Sequence, residues 1–285
     1  MRTFSNRRIV SFVLLGLLLI GTGMVTGCGA KPQEPKDGQG QGLTGTLTTA
    51  GSTSVQPFSE VLAEKFMEKN PNVKVNVQGG GSSQGIEAAL SGVAEIGAIS
   101  RDLKDEEKAK GLTAIPIAID GVAVVVNPLN KVADLTAEDV KNIYLGNIKN
   151  WKEVGGDNAP ITVVSREEGS GTRDAFSDKI MNKEDIVNSA VIQNSTGAVR
   201  TAVAGDKNAI GYISIPKVNN EVKAVSLNGV EPTEVNVKNG SYPLSRTFNY
   251  VVKGQPGELA KAFIDFVLSE EGQSIIAEEG AFKLK

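Results

Sequence analysis

The chain has 285 residues, with 30 basic and 33 acidic side chains and a formal charge of −3. It contains no histidine, which removes Ser-His and Cys-His catalytic pairs and the usual transition-metal sites. A mildly acidic chain without a long basic run argues against nucleic acid as a partner, but a small anion responds to its local site rather than to net charge.

Arg2, Arg7 and Arg8 precede an apolar run over residues 9–20. That run is short for a bilayer span and has the length of a secretory h-region. Val25-Thr26-Gly27-Cys28 then resembles the bacterial lipobox and ends in the only cysteine of the chain. Residues 1–27 are expected to be a lipoprotein signal peptide, with Cys28 as the lipid-attachment site; two or three acyl chains on it suffice for stable anchoring. With Cys28 acylated no disulfide forms. Loss of residues 1–27 leaves 258 residues with 27 basic and 33 acidic side chains, a charge of about −6. Residues 29–42 hold no large apolar side chain, so residues 28–42 are expected to be a disordered tether. The expected location is the extracytoplasmic face of the cell membrane.

Folded structure is expected from residue 43, with strand-like composition over 46–49. Phe58, Val61, Leu62, Phe66 and Met67 recur at helical spacing ahead of Pro71. Val73, Val75 and Val77 alternate with polar residues, as in a strand with one buried face. Ile86, Ala89, Leu90 and Val93 give a short helix, and residues 95–99 a strand. A long apolar run over 115–126 is broken at Asp120-Gly121 and ends at Asn127-Pro128. Residues 135–144 are amphipathic, with Thr136 and Asp139 placed as a capping pair. Strands are expected at 160–164, 209–214 and 248–252, and helices at 172–181, 197–204 and 259–268. This alternation predicts an α/β fold. The break at Asp120-Gly121 and the return near Thr247 divide the body into two lobes, residues 43–120 with 247–285 and residues 121–246.

Three segments share one design, in which a strand ends in a Gly, Ser and Thr loop and a helix follows at once. They are Ala50-Gly51-Ser52-Thr53-Ser54, Gly79-Gly80-Gly81-Ser82-Ser83 and Arg166-Glu167-Glu168-Gly169-Ser170-Gly171-Thr172. Such turns aim backbone N–H groups and the positive end of a helix dipole at one point, and hydroxyls add donors. Three together would cage a tetrahedral oxyanion, although each serine or threonine alone could equally be a helix cap. None is a nucleotide P-loop, because no Gly-Lys-Ser/Thr stands at the required spacing. Arg166 adds a planar fork for bidentate binding, and Arg101 is a second candidate.

The same residues carry a resemblance. Ala-Gly-Ser-Thr-Ser, Gly-Gly-Gly-Ser-Ser, Ile-Tyr-Leu-Gly-Asn-Ile-Lys-Asn-Trp (143–151) and Arg-Glu-Glu-Gly-Ser-Gly-Thr-Arg are similar to the phosphate-binding subunit of the high-affinity phosphate ABC importer. The similarity runs from about Leu43 to the C-terminus, and its most specific motif is Arg-x-x-Gly-Ser-Gly-Thr. It implies a two-lobed periplasmic-binding-protein (flytrap) fold with inorganic phosphate in the cleft, closed by a hinge, and permease subunits as partners. It places Thr53, Ser54 and Ser82 on one lobe and Arg166, Ser170, Gly171 and Thr172 on the other. Glu168 stands where the family has an aspartate that buttresses the arginine. One departure is Arg101, where better-known members have an aspartate that accepts from the phosphate O–H. Asp120 is expected to supply that acceptor, with a turn aspartate as the plainer alternative.

Among rival readings, an enzyme fails because no histidine can activate Ser170, and Pro216 spoils the helix that a Ser214–Lys217 pair would need. A sulfate or molybdate receptor would share the architecture with donors only. A surface adhesin would not explain three anion-cage turns. The expectation is a monomeric binding protein without cofactor, metal or catalysis.

Overall fold

The computed structural model describes residues 42–284, so the signal segment, Cys28 and residues 29–41 of the tether lie outside the described residues. Among the described residues, the first half of the chain forms β1 (Gly45–Gly51), α1 (Gln56–Lys69), β2 (Val73–Gly79), α2 (Ser82–Ser91), β3 (Ile96–Ile99), α3 (Asp105–Ala109), β4 (Leu112–Val126), β5 (Asp134–Leu135) and α4 (Ala137–Leu145). The second half forms β6 (Thr162–Arg166), α5 (Gly171–Phe176), β7 (Val191–Gln193), α6 (Thr196–Gly205), β8 (Ala209–Ser214), β9 (Lys223–Ala224), β10 (Ser226–Leu227), α7 (Glu234–Lys238), β11 (Ser245–Lys253), α8 (Glu258–Leu268) and α9 (Glu270–Glu278).

The periodicities explain most of these elements. Phe58, Leu62 and Phe66 fall on one face of α1 and are buried. Val73 and Val75 face inward on β2 while Lys74 is exposed. Thr136 and Asp139 do form a reciprocal cap, each side chain accepting from the other's backbone N–H at 3.0 Å.

Three elements differ from the sequence expectation. Asp120-Gly121 does not break the run over 115–126, because both residues lie inside the single strand β4. Arg246 stands directly opposite Asp120 on antiparallel β11, so the charge is matched within the sheet and the strand continues. The helix expected at 172–181 ends at Phe176, and the chain continues as one π-turn, Ser177–Met181, closed by Asn182 at φ 52°. A second C-terminal helix, α9, follows α8 after Ser269, whose hydroxyl accepts from Gly272 N at 3.2 Å.

The strands form one mixed sheet in the order β2-β1-β3-β11-β4-β8-β6-β7, with β9 beside β4 and a separate β10-β5 pair. β1, β2 and β3 are parallel, as are β8, β6 and β7, while β4 and β11 run antiparallel to their neighbours. Hydrophobic side chains collect in separate cores along this sheet. Leu47, Phe58, Phe66, Phe248, Tyr250 and Phe263 fill one on the first half. Val122, Val124, Tyr144, Trp151, Phe176 and Tyr212 fill one on the second. β4 contributes Ile117 and Ala118 to the former and Val122, Val124 and Val126 to the latter, so Asp120-Gly121 marks the change-over.

The 143–151 motif belongs to the second core. Tyr144 donates to Val164 O at 3.1 Å and Trp151 Nε1 to Asn208 O at 2.9 Å. Tyr212 bonds Ser165 Oγ at 2.8 Å and accepts from Arg166 N at 3.2 Å. These bonds fix the end of β6, from which the third glycine-rich loop departs.

Candidate oxyanion site

Four strand-to-helix turns meet at the carboxyl ends of the parallel strands. The turn after β1 carries Ser52, Thr53 and Ser54; at Gly51, with φ 143°, a Cβ would lie 2.1 Å from Ala98 O, so only glycine lets the turn approach β3. Ser54 is buried, and α1 has no side-chain cap at its N-terminus. The turn after β2 carries Ser82, fully buried, with its hydroxyl accepting from Ser100 N at 3.1 Å. In these two turns the hydroxyls therefore do not serve as caps. The turn after β6 divides its roles: Ser170 caps α5 by accepting from Arg173 N at 3.3 Å, while Thr172 is buried in the cleft.

The fourth turn, Asn194-Ser195-Thr196 between β7 and α6, was not singled out in the sequence. It has the same strand, hydroxyl and glycine signature, ending in Gly197, and was legible on those grounds. Ser195 caps α6 by accepting from Ala198 N at 3.1 Å, which leaves Thr196 to face the other hydroxyls.

The two halves touch through these groups. Ser54 Oγ lies 2.9 Å from Thr196 Oγ1 and 3.2 Å from Thr172 Oγ1, and Thr53 Oγ1 accepts from Thr196 N at 3.2 Å. Ser83 N donates to Gly169 O at 3.0 Å. A Cβ on Gly171 would lie 2.2 Å from Ser82 Oγ and 2.7 Å from Ser100 Oγ, so glycine alone permits this approach.

Arg166, 1% exposed, reaches Thr196 Oγ1 through Nη1 at 3.3 Å. Its other edge is held bidentately by Glu167, at 2.8 Å from Nε and 2.7 Å from Nη2. The buttress is thus Glu167 rather than the expected Glu168, which is exposed. Glu167 follows the last residue of β6, and its carboxylate folds back along the guanidinium.

Arg101 is buried but its guanidinium is occupied. It pairs bidentately with Glu107, both contacts at 2.8 Å, and its Nε lies 2.8 Å from Asp174 Oδ2 as a charge contact without hydrogen-bond alignment. Arg101 therefore bridges the first half to α5 beside the cage. It lines an outer cavity of about 680 Å³ whose walls carry six cationic and three acidic side chains, two of the cations, Arg101 and Arg246, being already paired with Glu107 and Asp120. Burial alone would push the Glu107 carboxyl up, but Arg101 and the Lys104 backbone N–H hold it below the ordinary value.

Asp120 is fully buried, and its carboxylate has protein partners: Arg246 at 2.7 Å and Ser214 Oγ at 2.9 Å. Burial pushes its carboxyl up and the Arg246 guanidinium down, each opposed by the other's charge. Arg246 was not found in the sequence. It follows Tyr-Pro-Leu-Ser with no glycine loop, and its signal is a lone charge at the head of an apolar strand. Among the described residues no group of three or more metal-ligating side chains occurs.

Comparison with known proteins agrees with this geometry. The family model for the PBP superfamily domain matches residues 33–271. The phosphate-binding protein PstS of Bacillus subtilis is 33% identical over 96% of this chain and 93% of its own length. That of Pseudomonas aeruginosa is 30% identical over 89% and 87%. A Clostridium perfringens structure, described as a phosphate ABC transporter substrate-binding protein with bound phosphate, superposes with TM-score 0.83 at 48% identity, covering 85% of this chain and all of that one. An ABC-type phosphate transport receptor from Vibrio cholerae gives TM-score 0.71 at 39% identity over 83% and 99%.

Two outcomes follow from the geometry. Gly171→Ala should weaken oxyanion binding about tenfold or more while changing Tm by only a few degrees, since its methyl group clashes across the cleft and not within a core. Titration calorimetry beside a melting curve checks this, and unchanged affinity would contradict the observed closeness. Glu107 titrates below its unfolded value, so its stabilisation is present above that value and lost as pH falls through the folded one. Glu107→Gln should therefore destabilise by about 2 kcal/mol at neutral pH, and the gap to wild type should close below about pH 4 in denaturant melts.

Proposed function

From its membership of the PBP superfamily, in the branch of the phosphate-binding PstS proteins, we propose that the chain captures inorganic phosphate outside the cytoplasm and delivers it to the permease subunits of an ABC importer. The observation that carries this reading is the convergence of Ser54, Thr172 and Thr196 with Arg166 where two halves of the sheet meet. Neutral hydroxyl donors and one guanidinium suit a small tetrahedral anion, and a hydroxyl can also turn to accept the proton that phosphate keeps at neutral pH. The binding set comprises Thr53, Ser54, Ser82 and Thr196 with Arg166, Ser170, Gly171 and Thr172. Every donor comes from one chain, so a monomer suffices. The lobes divide where β4 and β11 cross, at residues 120/121 and 246/247, and hinge bending there opens the cleft.

A receptor for another tetrahedral oxyanion, sulfate or molybdate, keeps some support from one observation: Asp120, Glu167 and Glu107 are each already paired with an arginine. Titration with phosphate, arsenate and sulfate separates the two. Phosphate and arsenate should bind, and sulfate at least about tenfold more weakly. Equal or tighter sulfate binding would favour the second reading.

The mature protein is anchored by lipid on Cys28, ahead of a segment, residues 29–42, that holds no large apolar side chain. This part of the proposal rests on the lipobox-like Val25-Thr26-Gly27-Cys28 and the apolar run before it. Cys28→Ala should release the protein from the membrane fraction and leave phosphate affinity unchanged, because anchor and site are separate in sequence. Persistence in washed membranes would contradict the anchor.

A further inference from the structure

Arg246 has five N–H groups, four of which donate hydrogen bonds within the protein, while Nη2 also makes a charge contact with Asp120. Nε and Nη2 reach Asp120 Oδ2 at 2.8 and 2.7 Å. Nη2 also donates to Ser54 Oγ at 3.2 Å, and Nη1 donates to Thr172 Oγ1 at 2.8 Å and to Ser100 O at 3.3 Å. Asp120 is engaged as well. Its Oδ2 takes Arg246, its Oδ1 accepts from Ser214 Oγ at 2.9 Å, and the Gly121 backbone N–H lies against it. A carboxylate offers about four acceptor positions, so this one has little left for a proton on a ligand.

The consequence lies in the hydroxyls. Ser54 and Thr172 each accept from Arg246 through a lone pair, and a hydroxyl owns a single proton. That proton cannot point back at the guanidinium; it turns to the facing hydroxyls, with Ser54 Oγ 2.9 Å from Thr196 Oγ1 and 3.2 Å from Thr172 Oγ1, and is available to an anion seated between them. Ser54 comes from the turn after β1 and Thr172 from α5, on opposite halves, and Arg246 stands on β11 between them. One planar, rigid fork therefore presents a donor from each half at once, a geometry a lysine could not reproduce.

Resting on the oxyanion reading above, we infer that Asp120 and Arg246 are a positioning pair: they fix Ser54 and Thr172 as forward-pointing donors and tie the donor sets of both halves to one guanidinium, without touching the anion. Asp120 is then not the acceptor for the phosphate O–H. Its role is to hold Arg246.

Double-mutant cycles test this, with phosphate and sulfate titrated into wild type, Asp120→Asn, Arg246→Lys, Ser54→Ala and the two doubles carrying Ser54→Ala. Each single variant should lose about tenfold or more in affinity. Each double should lose clearly less than the product of its singles, because the pair acts through Ser54. In Asp120→Asn the phosphate-to-sulfate ratio should stay within about twofold of wild type, since both anions lose the same donors. Losses that multiply, or a ratio that moves toward sulfate, would overturn the proposal; the second result would make Asp120 the acceptor after all. Should Arg246→Lys fail to fold, the Asp120→Asn cycle with Ser54→Ala decides alone. A wild-type chain that binds neither anion would overturn the oxyanion reading itself, whereas normal wild-type binding with independent losses would overturn only the positioning role.

Discussion

Asp120 and Arg246 face each other across antiparallel strands at the centre of the sheet, 0% and 8% exposed. Removing two charges from water costs several kcal/mol per ion, and mutual attraction offsets this only when the remaining hydrogen-bonding positions are filled. Here they are filled, by Ser214 on one side and by Ser54, Ser100 and Thr172 on the other. The pair also sits where β4 passes from one hydrophobic core to the next, between Ala118 and Val122. A fully apolar strand could not have offered a polar anchor at that point. The cleft is consequently organised around a charge pair on the two strands that run through both halves of the sheet.

From that anchor the rest of the site follows. Donor-bearing turns approach from β1 and β2 on one half and from β6 and β7 on the other, and glycines at 51 and 171 let backbone and hydroxyls close to contact distance. Helix dipoles at the starts of these helices favour negative charge there, and buried charge-assisted bonds are stronger than exposed ones. The acids against the two arginines are matched: Glu167 steadies Arg166, and Glu107 with Asp174 holds Arg101. An incoming anion therefore meets donors ahead of it and carboxylates whose charge is already matched.

The α/β alternation and three of the four turns were legible because glycine, serine and threonine between periodic segments have a local meaning. Arg166 was legible for the same reason. Arg246 was not, because its partner lies 126 positions away and strand register alone brings them together. The same register kept β4 continuous where Asp120-Gly121 read as a break. Glu167 and Glu168 could not be separated by composition; the turn after β6 brings Glu167 to the guanidinium and leaves Glu168 exposed. Arg101 marked a departure from the resembling family, but only the Glu107 and Asp174 contacts reveal that its charge is engaged beside the cage. Thr196 is the one omission that closer reading would have repaired, since Ser-Thr-Gly before a helix repeats the design of the other turns.

A crystal structure grown in phosphate tests the account most directly. It should hold one tetrahedral anion within hydrogen-bond distance of Ser54 Oγ, Thr172 Oγ1 and the Arg166 guanidinium, with Asp120 and Arg246 still bonded to each other and neither in contact with the anion. An anion seated on the Asp120 carboxylate, or in the outer cavity against Arg101 with the hydroxyl cage still closed on itself, would contradict it.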